Sequence, residues 1–349
     1  MKKKLATLLK YIFFTGLAAL FVWLSIKDLN AEKWEQLKDA LGRADYLLLI
    51  PVLLLMILSH YIRALRWRLL IQPLGYTPSR INVFLGVMIG YFVNLGAPRL
   101  GEVLKCTVLA KYEKVPADKL VGTIVAERAF DLICLLLLFG LAFIIEFNVI
   151  SAMTVTKILP AFMNEEGSVS YGRIGMITGG LLLVFLLVAF VFMRFGHISI
   201  IQKIRLFLKG IWQGVLSIRK VKQKGLFLVQ TALIWFLYLA STWLGFHAIA
   251  ATSGLGIGQA VTVLAMGSVG MIVSPGGIGA YAYLIQQTVA YYNIPETPYG
   301  LALGWLLWFG QFVIFILCGV ISFILLPIIN KQKANEKSRE HPTEAIHAS

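Results

Sequence analysis

Six stretches of this chain are apolar for long enough to cross a lipid bilayer, and that length requirement restricts the fold more than any motif does. They lie near residues 8–26, 47–65, 122–146, 174–193, 226–248 and 300–327. A helix rising about 1.5 Å per residue needs roughly 20 apolar residues to cross a hydrocarbon core of about 30 Å, so the stretches predict helices rather than strands. Composition points the same way. With 58% hydrophobic and 14% charged residues, a soluble globule of 349 residues would lack the polar surface to cover itself. The expected fold is all-α and polytopic: a single transmembrane domain over residues 1–330, then a disordered cytoplasmic tail over 331–349. Lys2, Lys3 and Lys4 precede the first stretch, which lacks a small-x-small cleavage site and reads as an uncleaved helix rather than a signal peptide.

Two further apolar regions, 81–110 and 259–292, are interrupted near their middles, the first by Gly96-Ala97-Pro98-Arg99 and the second by Ser274-Pro275-Gly276-Gly277. Charge decides how they cross. Segment 194–224 carries eight Lys or Arg and no acid, whereas 27–45 has four basic and five acidic residues and 147–173 is balanced. The basic loop therefore belongs in the cytoplasm, together with Arg63, Arg66, Arg68, Arg80, the N-terminus, Lys331 and Lys333. A single crossing by 81–110 would put the basic loop outside, so the parity asks for two re-entrant hairpins or for two true spans in place of either. The resulting order predicts halves 1–146 and 174–327 of opposite orientation, the inverted layout from which secondary transporters build a midplane site. Within the basic loop, Ile201, Ile204, Leu208, Ile211, Val215 and Ile218 recur at helical spacing among lysines and arginines, the pattern of an amphipathic helix on anionic lipid. The net charge of +15 is thus assigned to topology and not to nucleic acid.

Few acidic residues enter the apolar segments: Glu102, Glu127, Asp131 and Glu146. A charge there costs several kcal/mol unless it is paired or hydrated. Glu127 and Asp131, four residues apart, share a helix face and require a cation from another element, while Arg128 is turned about 100° away. Arg99 and Lys105, flanking Glu102 across the first break, are the nearest candidates. The cluster reads either as a structural ion pair or as the wall of a polar cavity. Around the break, Asn94 to Lys105, freed N–H groups and the Arg99 guanidinium suit a phosphate, and an interfacial turn with one anchoring arginine is the alternative. Arg63, Arg66, Trp67 and Arg68 read as the interfacial anchors closing the second span, with Arg63 and Arg66 on one face also able to hold a lipid phosphate. Gly267, Ser268 and Gly270 before Pro275, Gly276 and Gly277 allow close backbone approach, either for packing two hairpins or for contacting substrate. His60 and His247 lack a second ligand at helical spacing and read as hydrogen-bonded structural residues. Cys106, Cys134 and Cys318 show no metal or disulfide spacing and read as small core residues; no cofactor is expected.

Taken together, Arg63-Ala64-Leu65-Arg66-Trp67, the P-R-x-G-E-x-x-K pattern from Pro98 to Lys105, Glu127-Arg128-x-x-Asp131 and Pro275-Gly276-Gly277-Ile278-Gly279 resemble the flippase-like membrane family. That family is related to the N-terminal transmembrane region of bacterial lysyl-phosphatidylglycerol synthase/flippase proteins. The resemblance covers about residues 1–330. It implies a multi-pass protein of a bacterial-type plasma membrane that moves an anionic phospholipid, aminoacyl-lipid or lipid-linked headgroup without ATP hydrolysis, with Arg99, Glu102, Glu127, Arg128 and Asp131 as the matching polar positions. Partners implied are anionic membrane lipids and, under the competing reading of an accessory or scaffold subunit, enzymes of envelope lipid or glycan synthesis. Two departures stand out. Only a short polar tail follows Pro327, where fused relatives carry an aminoacyl-transferring domain, and Ala280, Tyr281 and Ala282 occupy the place at which many relatives have a glutamate. No HExxH, nucleophile-plus-base pair or nucleotide-binding loop is present, so an embedded enzyme is not expected.

Overall fold

A computed structural model describes residues 15–27, 29–97, 100–147, 170–172, 175–176, 178–180, 182 and 221–340. Among these residues the chain is helical with no strand, an all-α polytopic membrane protein. Helices α1 (Thr15–Ile26) and α2 (Ala31–Gly42) precede α3 (Leu49–Ile71), α4 (Arg80–Gly96), α5 (Leu100–Glu113) and α6 (Ala117–Ile145). Beyond residue 220 follow α7 (Lys224–Phe246), α8 (Ile257–Val273), α9 (Ala280–Ala290) and α10 (Leu301–Glu340).

Among the described residues four segments are long and apolar enough to span a bilayer: Tyr46–Leu74, Ala117–Ile145, Lys224–Phe246 and Glu296–Gln332. They coincide with the expected spans at 47–65, 122–146, 226–248 and 300–327. Most of the span at 174–193 and all of the amphipathic helix of the basic loop lie outside the described residues. On the four described spans, lipid-facing side chains such as Leu136, Leu137 and Ile144 on α6 are exposed apolar groups of the kind that only lipid can cover.

Both interrupted regions break where glycine and proline occur. α4 ends at Gly96 and α5 starts at Leu100; α8 ends at Val273, a 3-10 turn covers Pro275–Gly277, and α9 starts at Ala280. Gly276, Gly277 and Gly279 all have positive φ (59°, 74° and 73°), a conformation closed to most side chains and the reason this turn is glycine-rich. At about 1.5 Å per residue, α4 and α8 are each about 25 Å long and α9 about 16 Å, short of a full hydrocarbon core.

The expected disordered tail is corrected in part. α10 runs on through Glu340, because 331–340 contains neither glycine nor proline and is rich in Lys and Glu; residues 341–349 lie outside the described residues. The two largest apolar cores hold most of the helices together. One joins α2, α7, α8, α9 and α10 through Leu37, Phe246, Val263, Ile285 and Leu303; the other joins α3 to α7 around Trp67, Leu109, Leu120 and Phe227. Arg63 and Arg66 emerge from α3 at the edge of the second core.

Candidate functional site

α3 extends to Ile71, so Arg63, Arg66 and Trp67 lie inside the helix and not at its end. The expectation of interfacial anchors is thereby corrected. Arg66 and Trp67 have no exposed surface and Arg63 is 7% exposed, since α4, α6 and α7 close over this stretch of α3. Trp67 Nε1 donates to Thr123 Oγ1 at 2.8 Å. Of the cluster only Arg68 turns away, donating from Nε to the Pro78 carbonyl at 2.7 Å.

The cation that Glu127 and Asp131 require comes from α3 as well as α5. Arg63 Nη1 donates to Glu127 Oε1 at 3.1 Å and to Asp131 Oδ2 at 2.6 Å. Arg66 Nη2 donates to Asp131 Oδ1 at 2.6 Å and lies 3.8 Å from Glu127 Oε1. Lys105 Nζ donates to Glu127 Oε2 at 3.1 Å and sits 4.4 Å above the Trp67 ring. On the other flank Arg63 reaches the Tyr238 hydroxyl, and Arg66 the Thr231 hydroxyl, each at 3.3 Å. Three cations thus meet two carboxylates, and one positive charge is uncompensated among the described residues. Arg128 and Glu102 form their own ion pair at 2.8 Å, more open than the rest, with side chains 46% and 31% exposed.

A cavity of about 10 Å³, room for about one water molecule, adjoins this cluster between α4, α5 and α6. Tyr91, Asn94, Glu102, Lys105 and Arg128 supply its polar lining, and Gly90 and Gly101 bring α4 and α5 together beside it. A Cβ on Gly101 would fall on the Gly90 carbonyl oxygen, so glycine is what permits the contact. Asn94 Oδ1 accepts from the Gly101 amide at 2.9 Å, serving one of the N–H groups that the start of α5 frees.

The structure therefore gathers seven of the expected site residues: Arg63, Arg66, Glu127 and Asp131 in the buried cluster, Lys105 between cluster and cavity, and Glu102 with Arg128 at the cavity edge. Arg99 and Pro98 lie outside the described residues. Pro275, Gly276 and Gly277 are placed elsewhere, against the first break. Leu95 of α4 packs over Gly276, Met271 and Trp308 close on Gly277, and Trp308 Nε1 donates to the Gly276 carbonyl at 2.9 Å. Asn94 opens the segment expected to line a cavity, whereas the sequence offers no sign of Tyr91, Thr231 or Tyr238, whose part depends on helix contacts across the fold. His60 departs from expectation, for neither ring nitrogen has a hydrogen-bond partner among the described residues, whereas His247 Nδ1 lies 3.1 Å from the Trp243 carbonyl oxygen. Among the described residues no group of His, Cys, Asp and Glu could hold a metal ion.

A family profile described as the lysylphosphatidylglycerol synthase TM region matches residues 8–321. A UPF0104 membrane protein of Methanocaldococcus jannaschii is 32% identical over 113 residues, 32% of this chain and 33% of that protein. Another UPF0104 membrane protein, from Methanothermobacter thermautotrophicus, is 25% identical over 262 residues, 70% of this chain and 75% of its own length. No solved structure matches the chain significantly.

Proposed function

This chain belongs to the lysylphosphatidylglycerol synthase TM region family, and from that premise we propose that it moves the headgroup of an anionic phospholipid, aminoacyl-lipid or lipid-linked group across the membrane without ATP hydrolysis. The observation that carries the reading is the buried cluster of Arg63, Arg66 and Lys105 with Glu127 and Asp131, one positive charge in excess, beside a polar cavity at a helix break. Such a network is poorly explained by stability. Apolar side chains of the same volume would be neutral or more stable by about 1–4 kcal/mol. It is well explained by a phosphate, whose single negative charge matches the excess and whose oxygens match guanidinium donors. Irregular backbone at membrane depth is tolerated where it lines a cavity, and the helix lengths on either side of both breaks support re-entrant hairpins; the distribution of Lys and Arg supports cytoplasmic termini.

The scaffold reading has one observation in its favour, that each of the three cations already has a carboxylate partner. Movement of a labelled anionic phospholipid in proteoliposomes, normalised to correctly inserted protein, separates the two. Glu127→Gln and Arg99→Lys are expected to slow it at least tenfold, the second by losing bidentate geometry while keeping charge. If both variants insert normally and move lipid at the wild-type rate, the cluster is a brace and the chain a scaffold.

A further inference from the structure

His60 lies on α3 one turn before Arg63 and is 4% exposed. Rings surround it: Tyr91 of α4 at 4.9 Å between centroids, Phe315 of α10 at 5.4 Å and Tyr238 of α7 at 6.4 Å. Phenylalanine would fill this space without burying two polar atoms, each of which costs about 1–3 kcal/mol when unpaired. Both His60 nitrogens are unpaired nonetheless. An ionisable side chain kept in a membrane interior at such a cost points to a role in moving charge.

The charges around it show when that role begins. On its own helix His60 is followed by Arg63; α6 contributes Glu127 and Asp131, both already occupied by Arg63 and Arg66; α5 contributes Lys105, held by Glu127; α7 and α4 offer the neutral hydroxyls of Tyr238 and Tyr91; α10 presents the Phe315 ring. An imidazolium would therefore have a guanidinium one turn away and no carboxylate of its own. An anion entering the cluster offsets that repulsion and part of the cost of burying the imidazolium, so a proton and an anion stabilise each other through the same field. Tyr91 joins the two places, lining the polar cavity while packing on His60.

We propose that His60 takes up one proton as an anionic headgroup enters the cluster, so that headgroup movement is coupled to proton movement. The coupling rests on the lipid-moving reading above. It adds a second cargo to it.

The full chain is reconstituted in vesicles with short-chain labelled phosphatidylglycerol as probe, at a concentration below saturation. Movement is followed by albumin back-extraction from pH 5.5 to 8, and lumenal pH by a trapped dye. In the wild type the rate is expected to rise at least fivefold from pH 8 to pH 6, and one proton sets a ceiling of about tenfold per pH unit. Lumenal pH should change in step with lipid movement. His60→Phe, which keeps the ring packing, and His60→Gln should both insert normally, move lipid at the wild-type pH 8 rate at every pH and leave lumenal pH unchanged. A wild-type rate independent of pH, or pH dependence that survives in His60→Phe, overturns the coupling and leaves lipid movement standing. Absence of movement in the wild type at every pH overturns both.

Discussion

Glu127 is the carboxylate on which most of the cluster depends, and replacing it has a consequence whose sign can be worked out. Its two oxygens accept from Arg63 and Lys105 at 3.1 Å each, with Arg66 at 3.8 Å. Glu127→Gln keeps the shape but leaves three cations facing Asp131 alone, and Lys105 with only the Trp67 ring. At 3.1 Å a unit pair is worth about 5 kcal/mol at an effective dielectric near 20, and breaking a buried pair costs about 3–5 kcal/mol. Lys105→Met behaves differently. Glu127 retains Arg63 and Arg66, so no carboxylate is stranded, and the excess charge falls to zero; the lost Lys105–Glu127 pair and the cation–π contact of about 1–2 kcal/mol are partly offset by removal of a buried ammonium. The double variant Lys105→Met/Glu127→Gln restores the wild-type excess of one positive charge and strands no lysine. It should therefore be more stable than Glu127→Gln alone, with a coupling of at least about 2 kcal/mol, although it carries one more substitution. Reversible unfolding in mixed micelles, read by circular dichroism across the four proteins of the cycle, measures this directly. Additivity within about 0.5 kcal/mol would refute the arrangement, since residues out of contact add to that precision.

Gly101→Val should separate α4 from α5, because any Cβ there meets the Gly90 carbonyl and the Asn94 amide group; overpacking of this kind costs about 1–3 kcal/mol, against a near-neutral Gly140→Ala on α6, where nothing lies within 4 Å, and the yield of monodisperse protein after detergent extraction reads the difference. Trp67→Phe removes the hydrogen bond to Thr123 and weakens the surface under Lys105, an expected loss of about 1–2 kcal/mol in the same micelle unfolding assay. Cysteines placed at the exposed positions Lys38 and Lys331, in a background without Cys106, Cys134 and Cys318, should label from opposite sides of sealed vesicles; labelling from one side removes the parity on which the inverted halves depend.

What could be read from the chain alone follows the range of each interaction. Helix breaks at 96–99 and 274–277 were legible because proline and glycine act on the backbone within a residue or two. The shared face of Glu127 and Asp131 followed from helix periodicity, and their need for a foreign cation from the cost of unpaired charge. Which cation answered was not legible. Arg63-x-x-Arg66-Trp67 has the composition of an interfacial belt, and it is buried only because α3 continues to Ile71 while α6 and α7 pack on both sides of it, facts about helix ends and neighbours that no local pattern encodes. His60 escaped for a related reason, since its missing hydrogen bonds are a property of the three rings around it.

The two breaks are not equivalent, although each relieves its freed backbone groups with one side chain. At the second, Trp308 Nε1 takes the Gly276 carbonyl, and Leu95, Met271 and Tyr281 leave no space beside the glycines, so the turn is closed and apolar. At the first, Asn94 takes the Gly101 amide, yet the space beside it stays polar, walled by Glu102, Lys105 and Arg128 and backed by the buried cluster. Contact between Leu95 and Gly276 makes the closed break a support for the open one. A headgroup carrying a phosphate would therefore meet complementary charge at the first break and only packing at the second. Since α7 supplies Tyr238 and Thr231 to Arg63 and Arg66, a shift of α7 against α3 would be felt directly by the cations that hold Glu127 and Asp131.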